Sequence, residues 1–298
     1  MKFALNPATH KIVSNSLSKV FVSFNLYLHT NQILNYMSKK VLLLFSLLFV
    51  VLVPQMSKAA AKLDFYQIKI YHLKTAEQES RVDQFLKDAY LPALHRAGIS
   101  SVGVFKPIVE AGKVAEEKLI YVLIPFTSRD EFFKLDSKLS KDQKFHSDGA
   151  AYLDAKYNEP PYSRMETILL NAFEKNPRFG LPNLSGAKKD RVYELRSYEG
   201  PTEKISANKI RMFNSGDEVG LFKRLGFNAV FYGQVVAGSS MPNLMYMTTF
   251  ENRADRNKHW DAFGKDDYWR KLSAIPEYQN NVSKGNTWFL YPTDYSDI

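Results

Sequence analysis

Glu194 and Arg196 stand two residues apart in the run Tyr193-Glu194-Leu195-Arg196-Ser197-Tyr198, which reads as a β-strand. Positions i and i+2 of a strand share a face, so the carboxylate and the guanidinium point one way and Tyr193, Leu195 and Ser197 the other. An arginine oriented by an acid can grip an anionic ligand inside a barrel. An ordinary cross-strand ion pair, worth about 0.2–1 kcal/mol, is the other use of the same residues. Tyr198 ends this run, and Tyr246, Trp260 and Trp269 belong to an aromatic-rich stretch that either fills a core or lines an apolar pocket. His259 adjoins Trp260 in a helical segment. The candidate ligand-binding set is Glu194, Arg196, Tyr198, Tyr246, His259, Trp260 and Trp269. Arg253-Ala254-Asp255-Arg256 reads as a solvated helix start.

Other chemistries are excluded. With no cysteine, the chain has no disulfide framework, thiolate metal site or cysteine nucleophile. His72, His95, His146 and His259 form no H-x-x-x-H or H-x-H pattern, so no metal site is expected. No nucleophile elbow, phosphate-binding glycine loop or dinucleotide fingerprint occurs, and no catalytic residue is assigned. The formal charge of +9 is misleading. Residues 1–61 hold six lysines and no Asp, Glu or Arg, leaving 34 basic against 31 acidic groups, or +3, in the remainder. A nucleic-acid partner is not expected.

The elements that must position the candidates come in two similar sets about 125 residues apart. Phe65-Tyr66-Gln67-Ile68-Lys69-Ile70-Tyr71 matches Val192-Tyr193-Glu194-Leu195-Arg196-Ser197-Tyr198. Arg96-Ala97-Gly98-Ile99 matches Arg224-Leu225-Gly226-Phe227, Leu119-Ile120-Tyr121 matches Leu244-Met245-Tyr246, and Lys141-Asp142 matches Lys265-Asp266. In the first set the spacing predicts strands at Phe65–Leu73, Val102–Val109, Lys118–Phe126 and Glu166–Phe173, with a turn near Ala111-Gly112-Lys113. Capping boxes at Thr75–Gln78 and Ser128–Glu131 open helices; Pro92 kinks the first, Gly98 stops it, and the second turns Phe132, Phe133 and Leu135 inward. The second set gives strands at Val192–Tyr198, Ala229–Val236, Leu244–Phe250 and Thr287–Tyr291, and helices in Thr202–Leu225 (broken at Gly216), Arg253–Phe263 and Asp267–Pro276. Each set reads β-α-β-β-α-β, a ferredoxin-like unit. One sheet with helices on a single face needs cover on the other. The expected fold is therefore α+β, with two tandem units packed sheet to sheet as an intramolecular α/β barrel.

Ahead of these units, Ser38-Lys39-Lys40, the apolar run Val41–Val53 and the small residues Ala59-Ala60-Ala61 stand in the order of a secretory signal. The run is too short for a spanning helix, which needs about 20 residues. The expected organisation is an upstream extension over 1–36, a signal peptide over 37–61, a first unit over 62–175, a Pro/Gly-rich linker over 176–189 and a second unit over 190–298. The mature protein would be periplasmic or secreted, with no stable membrane span.

The second unit resembles the NIPSNAP domain. The likeness rests on Tyr193–Tyr198, Leu225-Gly226-Phe227, Leu244–Met247, Phe250–Arg256, Asp267-Tyr268-Trp269 and Thr287–Pro292. It covers Arg191–Pro292 and extends more faintly over Phe65–Phe173, where Gln67 and Lys69 replace the acid and the arginine. The resemblance implies the dimeric α/β-barrel fold and no single activity. The function expected is an exported barrel that binds a small apolar, aromatic or anionic ligand in its cavity, with no cofactor. Because relatives on this fold include cofactor-free oxygenases and haem-binding proteins, a cofactor-independent oxygenase or isomerase is one alternative, with His259, Tyr246 or Arg196 as polar actors. A haem site at His259 is another, and a structural or protein-interaction role a third. The reading leans against an enzyme, and a homodimer is left open.

Overall fold

Eight antiparallel strands close into one barrel, in the order β1-β3-β2-β8-β5-β7-β6-β4. The computed structural model describes residues 62–109 and 117–298. The upstream extension, the signal segment and the turn at Ala111-Gly112-Lys113 lie outside the described residues. The first half comprises β1 (Phe65–Leu73), α1 (Ala76–Phe85), α2 (Leu91–Arg96), β2 (Gly103–Pro107), β3 (Lys118–Phe126), α3 (Arg129–Leu139), α4 (Gln143–Leu153) and β4 (Arg164–Ala172). The second comprises β5 (Val192–Glu199), α5 (Glu203–Asn214), α6 (Glu218–Arg224), β6 (Ala229–Ala237), β7 (Asn243–Phe250), α7 (Arg253–Lys265), α8 (Asp267–Ser273) and β8 (Lys284–Pro292). Each half is a β-α-β-β-α-β unit, as expected. The halves join at two seams, β2 against β8 and β4 against β6, with Phe105 opposite Pro292 and Ala172 opposite Gly233. Closure leaves neither half with an unpaired strand edge.

Strand alternation divides the core into three. Tyr66, Ile68, Leu123, Leu170, Tyr193, Leu195, Phe231 and Met247 fill the barrel interior from both halves. On the opposite face of β1 and β3, Tyr71, Val122 and Ile124 pack beneath α1–α4. Val192, Tyr232, Leu244 and Tyr246 do the same beneath the second half's helices. One end of the barrel is plugged. Phe179 of the linker and the C-terminal Ile298 belong to the interior cluster, and Asp64 anchors the linker by accepting from Arg178 Nη1 and Phe179 N, each at 2.8 Å.

Local chemistry sets the helix starts. Thr75, Ser128, Thr202 and Asn252 each accept from the backbone N–H three residues on. Gln78 and Glu131 reach back one residue beyond the cap, to the N–H groups of Lys74 and Thr127. The kink expected at Pro92 takes the form of a π-helical turn, Leu86–Tyr90, because proline has no N–H for the Asp88 carbonyl.

Two expectations are corrected. Phe133 is 74% exposed rather than inward, since α3 packs through Phe132, Leu135 and Leu139 and Phe133, about 100° on from Phe132, falls outside that stripe. The match of Tyr121 to Tyr246 is one residue out of register. Lys69 pairs with Val122 and Arg196 with Tyr246, so Val122 is the counterpart of Tyr246. Tyr121 faces the interior and Tyr246 the helices.

Candidate functional site

Glu194 is the centre of a buried charge network in the second half. Its side chain has no solvent exposure and accepts four hydrogen bonds. Arg196 Nε (2.7 Å) and Arg256 Nη2 (2.8 Å) donate to Oε1. Arg256 Nε and Trp260 Nε1, both at 2.8 Å, donate to Oε2. Arg196 also donates to the Tyr198 hydroxyl at 2.9 Å, and that hydroxyl is 2.9 Å from the hydroxyl of Tyr246. The Arg196 guanidinium stacks 3.8 Å above the Trp260 ring. Burial pushes the Glu194 carboxyl's pKa up, but the bonds and charges of Arg256 and Arg196 outweigh it and hold the pKa below the usual range.

Of the two uses open to Glu194 and Arg196, the structure forms the ion pair, within one strand rather than across strands; their face lies under α7, while Tyr193 and Leu195 face the interior. One expectation is corrected. Arg256 is not a solvated helix-start residue but the bidentate partner of Glu194. An arginine four residues into a capped helix looks like a surface charge; only the fold brings it over β5.

Five of the candidate residues (Glu194, Arg196, Tyr198, Tyr246 and Trp260) thus meet in one network. His259 stands apart: Nδ1 bonds the Asp255 carbonyl at 2.8 Å, and the ring packs edge-on to Phe227. Trp269 packs on Phe263, with ring centroids 4.5 Å apart. Beside them a second buried ion pair joins Lys209 Nζ to Glu218 Oε2 at 3.0 Å, where burial pushes the Glu218 carboxyl up against the pull of Lys209. The helix–sheet layer here is closely filled with rings, and its charges are largely spent on one another.

A cavity of about 380 Å³ opens at the edge of this layer, beside Val219, Phe222, Phe227 and Tyr232. At the barrel end opposite the plug is a cavity of about 350 Å³. Its floor is apolar, formed by Ile70, Tyr121, Ile168, Leu195, Met245 and Trp288 from both halves. Its rim is polar. His72 bridges Glu117 (2.8 Å) and Glu166 (3.0 Å), and Asn243 donates to Ser197 Oγ at 2.9 Å. Ser239, Ser240, Lys284 and Asn286 complete the rim. Burial, with the Glu166 and Glu117 charges, pushes the Tyr121 hydroxyl's pKa up, keeping it a neutral donor. Sequence reading missed this site because its residues come from the ends of six strands and share no motif. The signal in the sequence was the interior-facing register of those strands, followed to one end. Among the described residues, no group of His, Asp or Glu could hold a metal ion, and no helix is long and apolar enough to cross a membrane.

A family model described as NIPSNAP matches residues 193–297. The second half of the chain is a NIPSNAP domain. All seven sequence candidates fall within it, as do the domain's contributions to the barrel mouth. Among solved structures, a candidate monooxygenase from Lactobacillus acidophilus covers 77% of this chain with 94% of its own, at 10% identity and a TM-score of 0.50. A second from Fusobacterium nucleatum covers 78% with 93% of its own, at 6% identity and a TM-score of 0.51. At such identities the likeness is one of fold, and it extends across both halves of the barrel. A NIPSNAP family protein from Agrobacterium tumefaciens is 21% identical over 36% of this chain and 96% of its own, with a TM-score of 0.31. No curated protein matches the sequence.

Proposed function

We propose that this NIPSNAP-domain barrel is a binding protein for a small apolar or aromatic molecule carrying a neutral hydrogen-bonding end. The observation that carries the reading is the mouth cavity, an apolar floor under a rim where amides and hydroxyls stand beside His72, Glu166 and Lys284, with strands of both halves contributing. Trp288, Tyr121 and Leu195 would take the ring or chain, and Asn243, Asn286 and Ser239 the polar end. The carboxylates of Glu166 and Glu117 flank His72 and disfavour an anion at that side of the rim. Native mass spectrometry of the gently purified protein tests the reading. A co-purified small molecule is expected, and Leu195→Trp, which fills the floor, should release it. Retention of the molecule by a folded Leu195→Trp protein would contradict the assignment.

The protein is further proposed to be exported, on the order of Lys39-Lys40, Val41–Val53 and Ala59–Ala61. Expression in a Gram-negative host followed by fractionation and N-terminal sequencing tests this. A periplasmic product beginning near Lys62 is expected, and an intact leader on cytoplasmic protein would overturn it.

A further inference from the structure

The helix ends at Gly98 and Gly226 are built alike. Each glycine takes a positive φ, 95° and 77°. Its N–H bonds back to the carbonyl of His95 or Lys223, and the next N–H to that of Leu94 or Phe222. His95 and Lys223 are therefore matched positions. The segments that follow the last strand of each half match as well. Thr293 and Asp297 donate to the carbonyls of Val104 and Val102, and Phe173 and Gly180 to those of Tyr232 and Val230.

The matched segments deliver different groups. In the first half the Asp297 carboxylate accepts from Val102 N at 2.8 Å and lies 2.9 Å from His95 Nε2. In the second half the linker is three residues longer between its two anchors and puts Gly180 at the place of Asp297. A side chain there would meet the Ala229 carbonyl oxygen at 2.5 Å, so the linker cannot supply a carboxylate at that point. Lys223 is exposed, and among the described residues no hydrogen bond or ion pair reaches its ammonium.

Lys223 lines the cavity of about 380 Å³ at the edge of the second helix layer, a volume at the small end of the range for ligand pockets. Its wall is aromatic, formed by Phe222, Phe227 and Tyr232. Tyr232 is 1% exposed, yet no hydrogen bond among the described residues reaches its hydroxyl. Burial, with the Glu218 charge, pushes the pKa of that hydroxyl up and keeps it a donor. The charged residues lining the cavity are Lys175, Asp217 and Lys223, a surplus of one positive charge. Asp217 already faces Lys175 at 3.6 Å. Asp217 and Asn228, both in the lining, hold left-handed backbone with φ of 55° and 37°, a costly conformation that recurs at ligand clamps.

We propose that this cavity binds a small aromatic carboxylate, which supplies in the second half the group that Asp297 supplies in the first. The ring would lie against Phe222 and Phe227, with Lys223 and Tyr232 as donors to the oxygens. The site is separate from the barrel mouth, where Glu117 and Glu166 disfavour an anion.

Calorimetric titration of the intact protein with 2-naphthoate and its neutral isostere 2-naphthamide tests the proposal. Naphthoate is expected to bind roughly fivefold more tightly than the amide. Lys223→Glu, a change at an exposed position, should weaken naphthoate by roughly tenfold and leave the amide unaffected. Tyr232→Phe should weaken naphthoate by about threefold. Leu195→Trp, which fills the mouth, should leave naphthoate binding unchanged, so the two sites succeed or fail separately. Absence of naphthoate binding, equal affinity for the two probes, undiminished binding in Lys223→Glu, or loss of binding in a folded Leu195→Trp protein overturns the proposal.

Discussion

The two halves share a strand order, a helix order and three matched pairs of side-chain caps, yet they treat the same buried position in opposite ways. In the second half the cation on the central strand is sunk into a network in which one carboxylate satisfies two guanidiniums and an indole. In the first half the acid is a glutamine, the second arginine a phenylalanine and the indole an aspartate, and the cation is left against aromatic rings. The halves agree in what closes the barrel and differ in what lies under the helices. One layer holds a fixed charge lock; the other sets its lysine over two tyrosine rings.

The largest expected effect separates the halves by stability. Glu194→Gln leaves two buried guanidiniums without their anion and should cost about 3–5 kcal/mol in chemical denaturation. Gln67→Met, the matched change in the first half, should cost under about 1.5 kcal/mol. Comparable losses at the two positions would break the comparison.

Titration should differ in sign as well as size. The Glu194 pKa is held down in the folded state, so its contribution is fully present above the unfolded carboxylate range, about 4.3, and is lost as the pH falls through the lower folded value. The difference in stability between wild type and Glu194→Gln should therefore shrink below about pH 4. Lys69 is a base whose folded pKa is lowered to about 8, so the unfolded chain binds more protons between there and about 10.4. Wild type should accordingly gain stability relative to Lys69→Met as the pH rises across that window. A flat difference would show the amine to be compensated.

Smaller changes sharpen the picture. Trp260→Phe removes the indole donor to Glu194 but keeps a ring under Arg196, and should cost about 1.5–3 kcal/mol in the same denaturation assay. The caps should not distinguish the halves. Ser128→Ala and Asn252→Ala each remove one bond to an N3 amide and should each lower stability by about 1 kcal/mol.

Much of the fold was legible in the sequence because its signals are local. Thr75 and Ser128 announce helix starts, Gly98 takes a positive φ of 95° where a helix was expected to stop, and the alternation in Phe65–Tyr71 puts Tyr66, Ile68 and Ile70 on one face. The register of β3 against β7 was not legible. Every residue of β7 is buried, interior on one side and helix-covered on the other, so the strand shows no alternation to say which face is which. The site was legible only in part. Glu194 and Arg196 announced a shared face, but Arg256 and Trp260 join them through a helix packed over the strand some 60 residues later. The barrel mouth could be assembled only once closure had brought Ile70 and Ile168 alongside Leu195 and Met245.

The central claim is that the ligand occupies the barrel mouth rather than the locked layer of the second half, and the chain's three tryptophans are placed to decide it. Trp288 lines the mouth, while Trp260 and Trp269 lie under the helices of the second half. Fluorine NMR of protein labelled with 5-fluorotryptophan, titrated with small phenols and aromatic ketones, should move the Trp288 resonance and leave the other two in place. Shifts at Trp260 or Trp269 with Trp288 unmoved would contradict the account.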